Sequence, residues 1–242
     1  MLAEARRRRI LLGGMCARYT MATAPEELVE EFEATPTTDA IAPSYNIAPT
    51  RDAPIVVQSR AGERRLGLAR FGLVPHWARD PKIGPRLLNA RAETAADKPV
   101  FRAAFARRRC LVVADGFYEW RREGGRKVPH LFRVPEGGAF ALAGLWAVWR
   151  DPAGRRLSSF SILTRPAAGA VAAVHDRMPV VLARGAWAAW LDRRRDDPAE
   201  VRPLLERERG GELVGARVST RVNDVRNDDP ALVEPVAAGR AS

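Results

Sequence analysis

Residues Cys110–Trp120, CLVVADGFYEW, decide how the fold is read. The stretch is apolar and carries β-branched and aromatic residues, so it reads as β-structure. Similar segments lie on both sides: PIVVQ from Pro54, RLGLARFGL from Arg65, VPHLFRV from Val128, AFALAGLWAVWR from Ala139, LSSFSILT from Leu157, MPVVL from Met178 and ARVSTRV from Ala216. Gly, Pro and Asp bound these runs, with hairpin signals at Glu123-Gly124-Gly125 and Asp151-Pro152-Ala153-Gly154. Helices are fewer. PEELVEEFEA from Pro25 places Pro and Glu in its first turn and apolar Leu28, Val29 and Phe32 on one side. VFRAAFARR from Val100, Ala186–Leu191 and Asp197–Arg207 complete the set. The order predicts a single α+β domain with a mainly antiparallel, barrel-like sheet and a few flanking helices.

The chain has 242 residues, 46% hydrophobic and 29% charged, enough to bury an apolar core without disulfide staples. Lys+Arg total 40 against Asp+Glu 29, a net charge of +11 that points to a polyanionic partner. The two cysteines, Cys16 and Cys110, exclude a disulfide framework and a cysteine-rich zinc site, and three scattered histidines predict no metal. The apolar run Ile10-Leu11-Leu12 is too short for a signal-peptide core, and no stretch approaches the roughly 18 apolar residues of a spanning helix. A soluble, monomeric, cytoplasmic protein without a cofactor, associated with the nucleoid, is expected.

Phosphate-loop, dinucleotide, nucleophile-elbow and zinc-helix signatures are missing. What remains is an ordered set of short segments: MCARY at Met15, YNIAPT at Tyr45, FGLVPHWARD at Phe71, LLNARAET at Leu87, DGFYEW at Asp115, FSILT at Phe160, HDRMPV at His175 and VSTRVNDVRND at Val218. In this order and spacing they resemble the SOS response-associated peptidase (SRAP) family, the abasic-site processing proteins, over roughly residues 15 to 230. Residues 1–14 are then expected to be a non-native or removed leader, and 231–242 a loose tail.

The resemblance implies that Cys16, freed at the N-terminus, attacks the aldehyde of a ring-opened abasic deoxyribose in single-stranded DNA. It further implies proton transfer by Glu119, a positioning amide at Asn89, and assistance to ring opening by His175. Arg18, Arg91 and Arg177 are expected to hold flanking phosphates, and Trp77, Asn46 and Pro49 to contact bases around the lesion. Taken alone, each has a plainer reading: Cys16 as a small buried hydrophobe, Glu119 as an exposed strand residue, Asn89 as a turn or cap residue, His175 as a structural histidine and Trp77 as core. Two positions depart from the family pattern: Ala17 stands where glycine is usual and Phe71 where tryptophan is common. An N-terminal-nucleophile cysteine peptidase and a noncatalytic single-strand binder are the alternatives.

Overall fold

The run Cys110–Trp120 is not one strand. In the computed structural model, which describes residues 17–206 and 212–236, it breaks at Asp115 and feeds two different sheets. In chain order the strands are β1 (Tyr19–Met21), β2 (Thr35–Pro36), β3 (Ser44–Ile47), β4 (Asp52–Gln58), β5 (Arg64–Phe71), β6 (Asn89–Arg91) and β7 (Arg109–Ala114). They continue as β8 (Gly116–Glu123), β9 (Arg126–Arg133), β10 (Phe140–Arg150), β11 (Arg156–Pro166), β12 (Arg177–Pro179), β13 (Val181–Leu182) and β14 (Val214–Arg217). The helices are α1 (Pro25–Phe32), α2 (Pro99–Arg107), α3 (Gly169–Ala172), α4 (Trp187–Leu191) and α5 (Pro198–Val201).

β4, β5, β11, β10 and β7 close into a barrel. Four of the five seams are antiparallel; the fifth, β5 against β11, is parallel and sets Phe71 opposite Phe160. Those two rings stack with centroids 5.2 Å apart inside the core. Both are fully buried, and each contributes about 1.5–3 kcal/mol by leaving water. Every residue of β7 is buried because one face looks into the barrel and α2 and α4 cover the other. Arg109 seals that layer: its guanidinium donates to the carbonyls of Phe105 and Ala106 at the end of α2 and to those of Trp190 and Asp192 at the end of α4. Such carbonyls lack partners within their own helices.

The second sheet runs β14-β9-β8-β1-β3, with antiparallel neighbours throughout. On β8, Phe117 faces the main core, while Tyr118 joins a separate small cluster with Leu131, Val218, Val222 and Leu232. That cluster fastens the C-terminal segment to the sheet's outer face. Leu232, within the stretch expected to be a loose tail, is fully buried, and Pro235 bridges to Val218. Residues 237–242 of that tail, the expected leader and Cys16 lie outside the described residues.

Other elements are shorter than the sequence suggests. MPVVL splits into β12 and β13, and the strand expected from Ala216 to Val222 gives way to a 3-10 turn over Thr220–Asn223, where Ser219 caps the Arg221 amide. The helix expected over Asp197–Arg207 is one α turn followed by a 3-10 turn at Arg202–Leu205, with Arg207 outside the described residues. Helix α1 matches its pattern: Leu28 and Phe32 are buried, and Phe32 stacks on Trp187 at 4.7 Å. No helix among the described residues is long and apolar enough to cross a membrane.

Candidate active site

Asp115, at the corner between the sheets, fixes the start of the described chain. Its carboxylate accepts from the Thr20 hydroxyl and from the Thr23 amide at 3.0 Å, and its own amide donates to the Thr20 carbonyl at 2.9 Å. β1 therefore lies close along β8, with Thr20 opposite Gly116. A Cβ at Gly116 would stand 2.8 Å from Leu131 Cδ1 and 3.0 Å from Thr20 Oγ1, so only glycine allows this approach. The register, Tyr19 opposite Phe117, carries Ala17 toward Glu119.

Ala17, Arg18 and Glu119 line a cleft of about 900 Å³ together with His175 and the turn Ala48–Arg51. Glu119 is only 3% exposed, on a strand face that its alternation alone would have left open to solvent. His175 follows α3, and its ring is partly exposed in the cleft wall. Its Nδ1 meets the Arg177 amide at 3.1 Å, the Arg177 carbonyl at 3.2 Å and the Asp176 carboxylate at 3.0 Å. Nδ1 thus has one donor and two acceptors within hydrogen-bond reach.

The opposite wall is the segment 223–228, which sequence reasoning matched to a motif but gave no role. Arg18 donates to the Val222 carbonyl at 2.8 Å and to Asn46 Oδ1 at 2.7 Å. The Asn46 amide in turn donates to the carbonyls of Asn227 at 2.8 Å and Asp224 at 3.1 Å. Trp120 Nε1 donates to Asn223 Oδ1 at 2.7 Å, and Asp228 accepts from the Ser44 hydroxyl at 2.9 Å. Burial lowers the Arg18 pKa from its ordinary value, opposed by the charges of Tyr118 and Asp224. Burial likewise pushes the neighbouring Tyr118 phenol up.

Cations dominate the rim. Arg51, Arg122 and Lys127 line the cleft, and their side chains make no ion pair among the described residues. Arg226 is held by Asp224, whose carboxyl it draws down to about 2. A concave, mostly cationic surface concentrates anionic ligands. Arg51, Arg122 and Lys127 lie in no motif strong enough to stand out among 40 cations in the sequence.

The expected site residues other than Cys16, which lies outside the described residues, divide into three groups. Arg18, Pro49, Glu119 and His175 converge in the cleft. Asn89, Arg91 and Arg177 lie outside its lining, on the strands that flank the end of β11, where Thr164 stands opposite both Arg91 and Pro179. Arg91 is exposed there, whereas Arg177 is bound through both terminal nitrogens to Glu93, at 2.6 and 2.9 Å, and to the Thr164 carbonyl. Arg177 thus clamps two segments together, and its hydrogen bond holds the Glu93 carboxyl below the usual range. Asn46, expected to contact bases, is 3% exposed, and its side chain braces the wall from behind through Arg18, Asp224 and Asn227. Trp77 takes the reverse course: it is 55% exposed, which excludes the core reading.

Comparison with known proteins adds to this geometry. Residues 15–225 match the family model described as SOS response associated peptidase (SRAP). Abasic site processing protein YoqW of Bacillus subtilis is 35% identical over 223 residues, covering 91% of this chain and 99% of its own. Abasic site processing protein HMCES of Gallus gallus is 31% identical over 229 residues, covering 81% of this chain and 67% of its own. Among solved structures, a Bacteroides thetaiotaomicron protein superposes with a TM-score of 0.80 at 24% identity, covering 92% of this chain and all of that one, a likeness of fold. A Bordetella bronchiseptica protein gives 0.73 at 28% identity, covering 84% of this chain and all of its own. With the family model spanning nearly the whole described chain and relatives matched over most of their length, the protein belongs to the SRAP family.

Proposed function

We propose that this protein processes abasic sites in single-stranded DNA by bonding covalently to the lesion through Cys16 as its N-terminal residue. The observation that carries the reading is the convergence of Ala17, Arg18, Glu119 and His175, from distant parts of the chain, in one cleft with a cationic rim. The chemistry needs a free α-amine, so residues 1–14 and Met15 must be absent from the active form. The amine adds to the C1′ aldehyde of the open deoxyribose, and the carbinolamine loses water to give an imine. The thiol sulfur then adds to the imine carbon, and its proton ends on nitrogen, closing a thiazolidine. An α-amine titrates near 7.7–8.0 and a thiol near 8.5, so both have reactive fractions near neutral pH.

Glu119, buried at the edge of the cleft, serves as general acid and base for water loss and ring closure. His175 assists opening of the sugar, and Asn89, on β6 outside the cleft lining, orients the sugar or the amine. Arg18, Arg51, Arg122 and Lys127 hold the flanking phosphates, and Trp77 and Pro49 contact bases. The names of the relatives support the substrate.

The test is incubation of Met15-initiated protein, with Met15 removed, with an abasic single-stranded oligonucleotide. An adduct that survives denaturation is expected, abolished by Cys16→Ala and slowed roughly 10²-fold or more by Glu119→Gln. No adduct, or an undiminished one from Cys16→Ala, overturns the proposal.

A further inference from the structure

A second groove lies on the outside of the barrel and shares no lining residue with the cleft. It encloses about 440 Å³ between the β4–β5 turn, the loop after β5 and the β10–β11 hairpin, lined by Arg60, His76, Arg108, Val148, Arg150 and Arg156. Among the described residues, no carboxylate lines it. None of its four arginines forms an ion pair among the described residues, although arginines elsewhere, such as Arg64, Arg107, Arg202 and Arg221, are paired.

Two features make the cluster costly without an anion. Arg150 stands directly opposite Arg156 across the hairpin, a like-charge pair that destabilises a sheet. The Arg108 guanidinium carbon stands over the Trp146 ring, 5.3 Å from its centroid, and its pKa is lowered first by partial desolvation and then by Arg193 and Arg156. One bond ties the walls of the groove together: Trp149 Nε1 donates to the Ala78 carbonyl at 2.7 Å, linking the hairpin to the loop that carries His76 and exposed Trp77. Unpaired guanidinium forks, one of them over an aromatic ring, are suited to phosphate oxygens.

We propose that this groove is a second binding surface for nucleic-acid backbone, taking phosphates of a strand that extends beyond the cleft. The proposal rests on the reading of the protein as a DNA binder but not on the covalent step. It predicts that binding depends on strand length, since a short strand occupies the cleft alone.

The experiment compares the parent with Arg150→Gln/Arg156→Gln on undamaged single strands, one of about 8 nucleotides and one several times longer, across a salt series. On the long strand the variant should bind more weakly, with a log–log salt slope shallower by about 1.4, or about 0.7 per lost phosphate contact. On the short strand the two proteins should bind alike. Equal affinity and slope on the long strand overturn the proposal, as does an equal loss on both strands, which would reflect overall charge. So does inorganic pyrophosphate binding that depends on Arg150 while long-strand binding does not. Removal of the Arg150–Arg156 repulsion should leave Tm unchanged or raised, so a fall in affinity is not a loss of fold. Adduct formation on a short abasic strand reads the cleft separately: its failure with length-dependent binding intact sinks only the covalent reading.

Discussion

Asn46→Ala should destabilise the protein by about 2–4 kcal/mol, because Asn46 holds up a wall of the cleft. Its two amide hydrogens serve the Asn227 carbonyl at 2.8 Å and the Asp224 carbonyl at 3.1 Å, with a longer approach of 3.4 Å to Val222, and its Oδ1 receives the Arg18 guanidinium at 2.7 Å. Two neutral bonds at about 1 kcal/mol each and one charged bond at about 1.5–3 give about 3.5–5. Water entering beside the half-exposed loop returns part of this. At about 2–4 °C per kcal/mol for a chain of this length, Tm should fall by roughly 4–16 °C. Asn46→Asp should be no better: it keeps the acceptor for Arg18 but turns a second anionic oxygen on carbonyls that need a donor. Thermal unfolding beside an adduct assay at a temperature where the variant remains folded separates the two roles of this residue. A Tm within 1 °C of the parent, by roughly that same scale, together with a large loss of DNA binding, would refute the bracing argument and restore Asn46 as a direct DNA contact.

Two further perturbations test the frame. Arg109→Met removes the donor to four helix-end carbonyls and should cost about 3–5 kcal/mol, a fall in Tm of roughly 6–20 °C by calorimetry; a shift under the lower figure would mean that water or a rearranged helix end replaces it. Burial lowers the Arg109 pKa to about 10, so it remains cationic at neutral pH. The Glu93–Arg177 pair gives a pH dependence of known sign. Because the folded pKa of Glu93 lies below its ordinary value, its contribution is present above the usual carboxylate range and is lost as pH falls through the folded value. The Tm difference between the parent and Glu93→Gln should therefore shrink as the medium is acidified below about pH 4, and a difference constant with pH would exclude the pair as its source.

The barrel-like α+β fold was legible because its strands are apolar, β-branched runs punctuated by turns, such as PIVVQ and AFALAGLWAVWR. The strands that position the site were not: Tyr19–Met21, Ser44–Ile47 and Asn89–Arg91 are three or four residues long, below the length at which alternation can be recognised, and they form because a neighbouring strand offers an edge. The break at Asp115 was hidden for a related reason. Both halves of CLVVADGFYEW favour extended backbone, and only the bonds from Asp115 back to Thr20 and Thr23 turn one run into members of two sheets.

The sequence by itself determined the chemistry on offer: a cysteine that exposes an aminothiol if it begins the chain, a glutamate and a histidine in separate motifs, and an excess of cations. These follow from residue identity, which does not change on folding. Tertiary structure decided everything that depends on contacts between distant residues. It closed the barrel through the parallel Phe71–Phe160 seam, buried Asn46, exposed Trp77, committed Arg177 to Glu93 and gathered four unpaired arginines into a second groove. Burial and pairing are properties of neighbours in space, and a linear pattern carries little of that information.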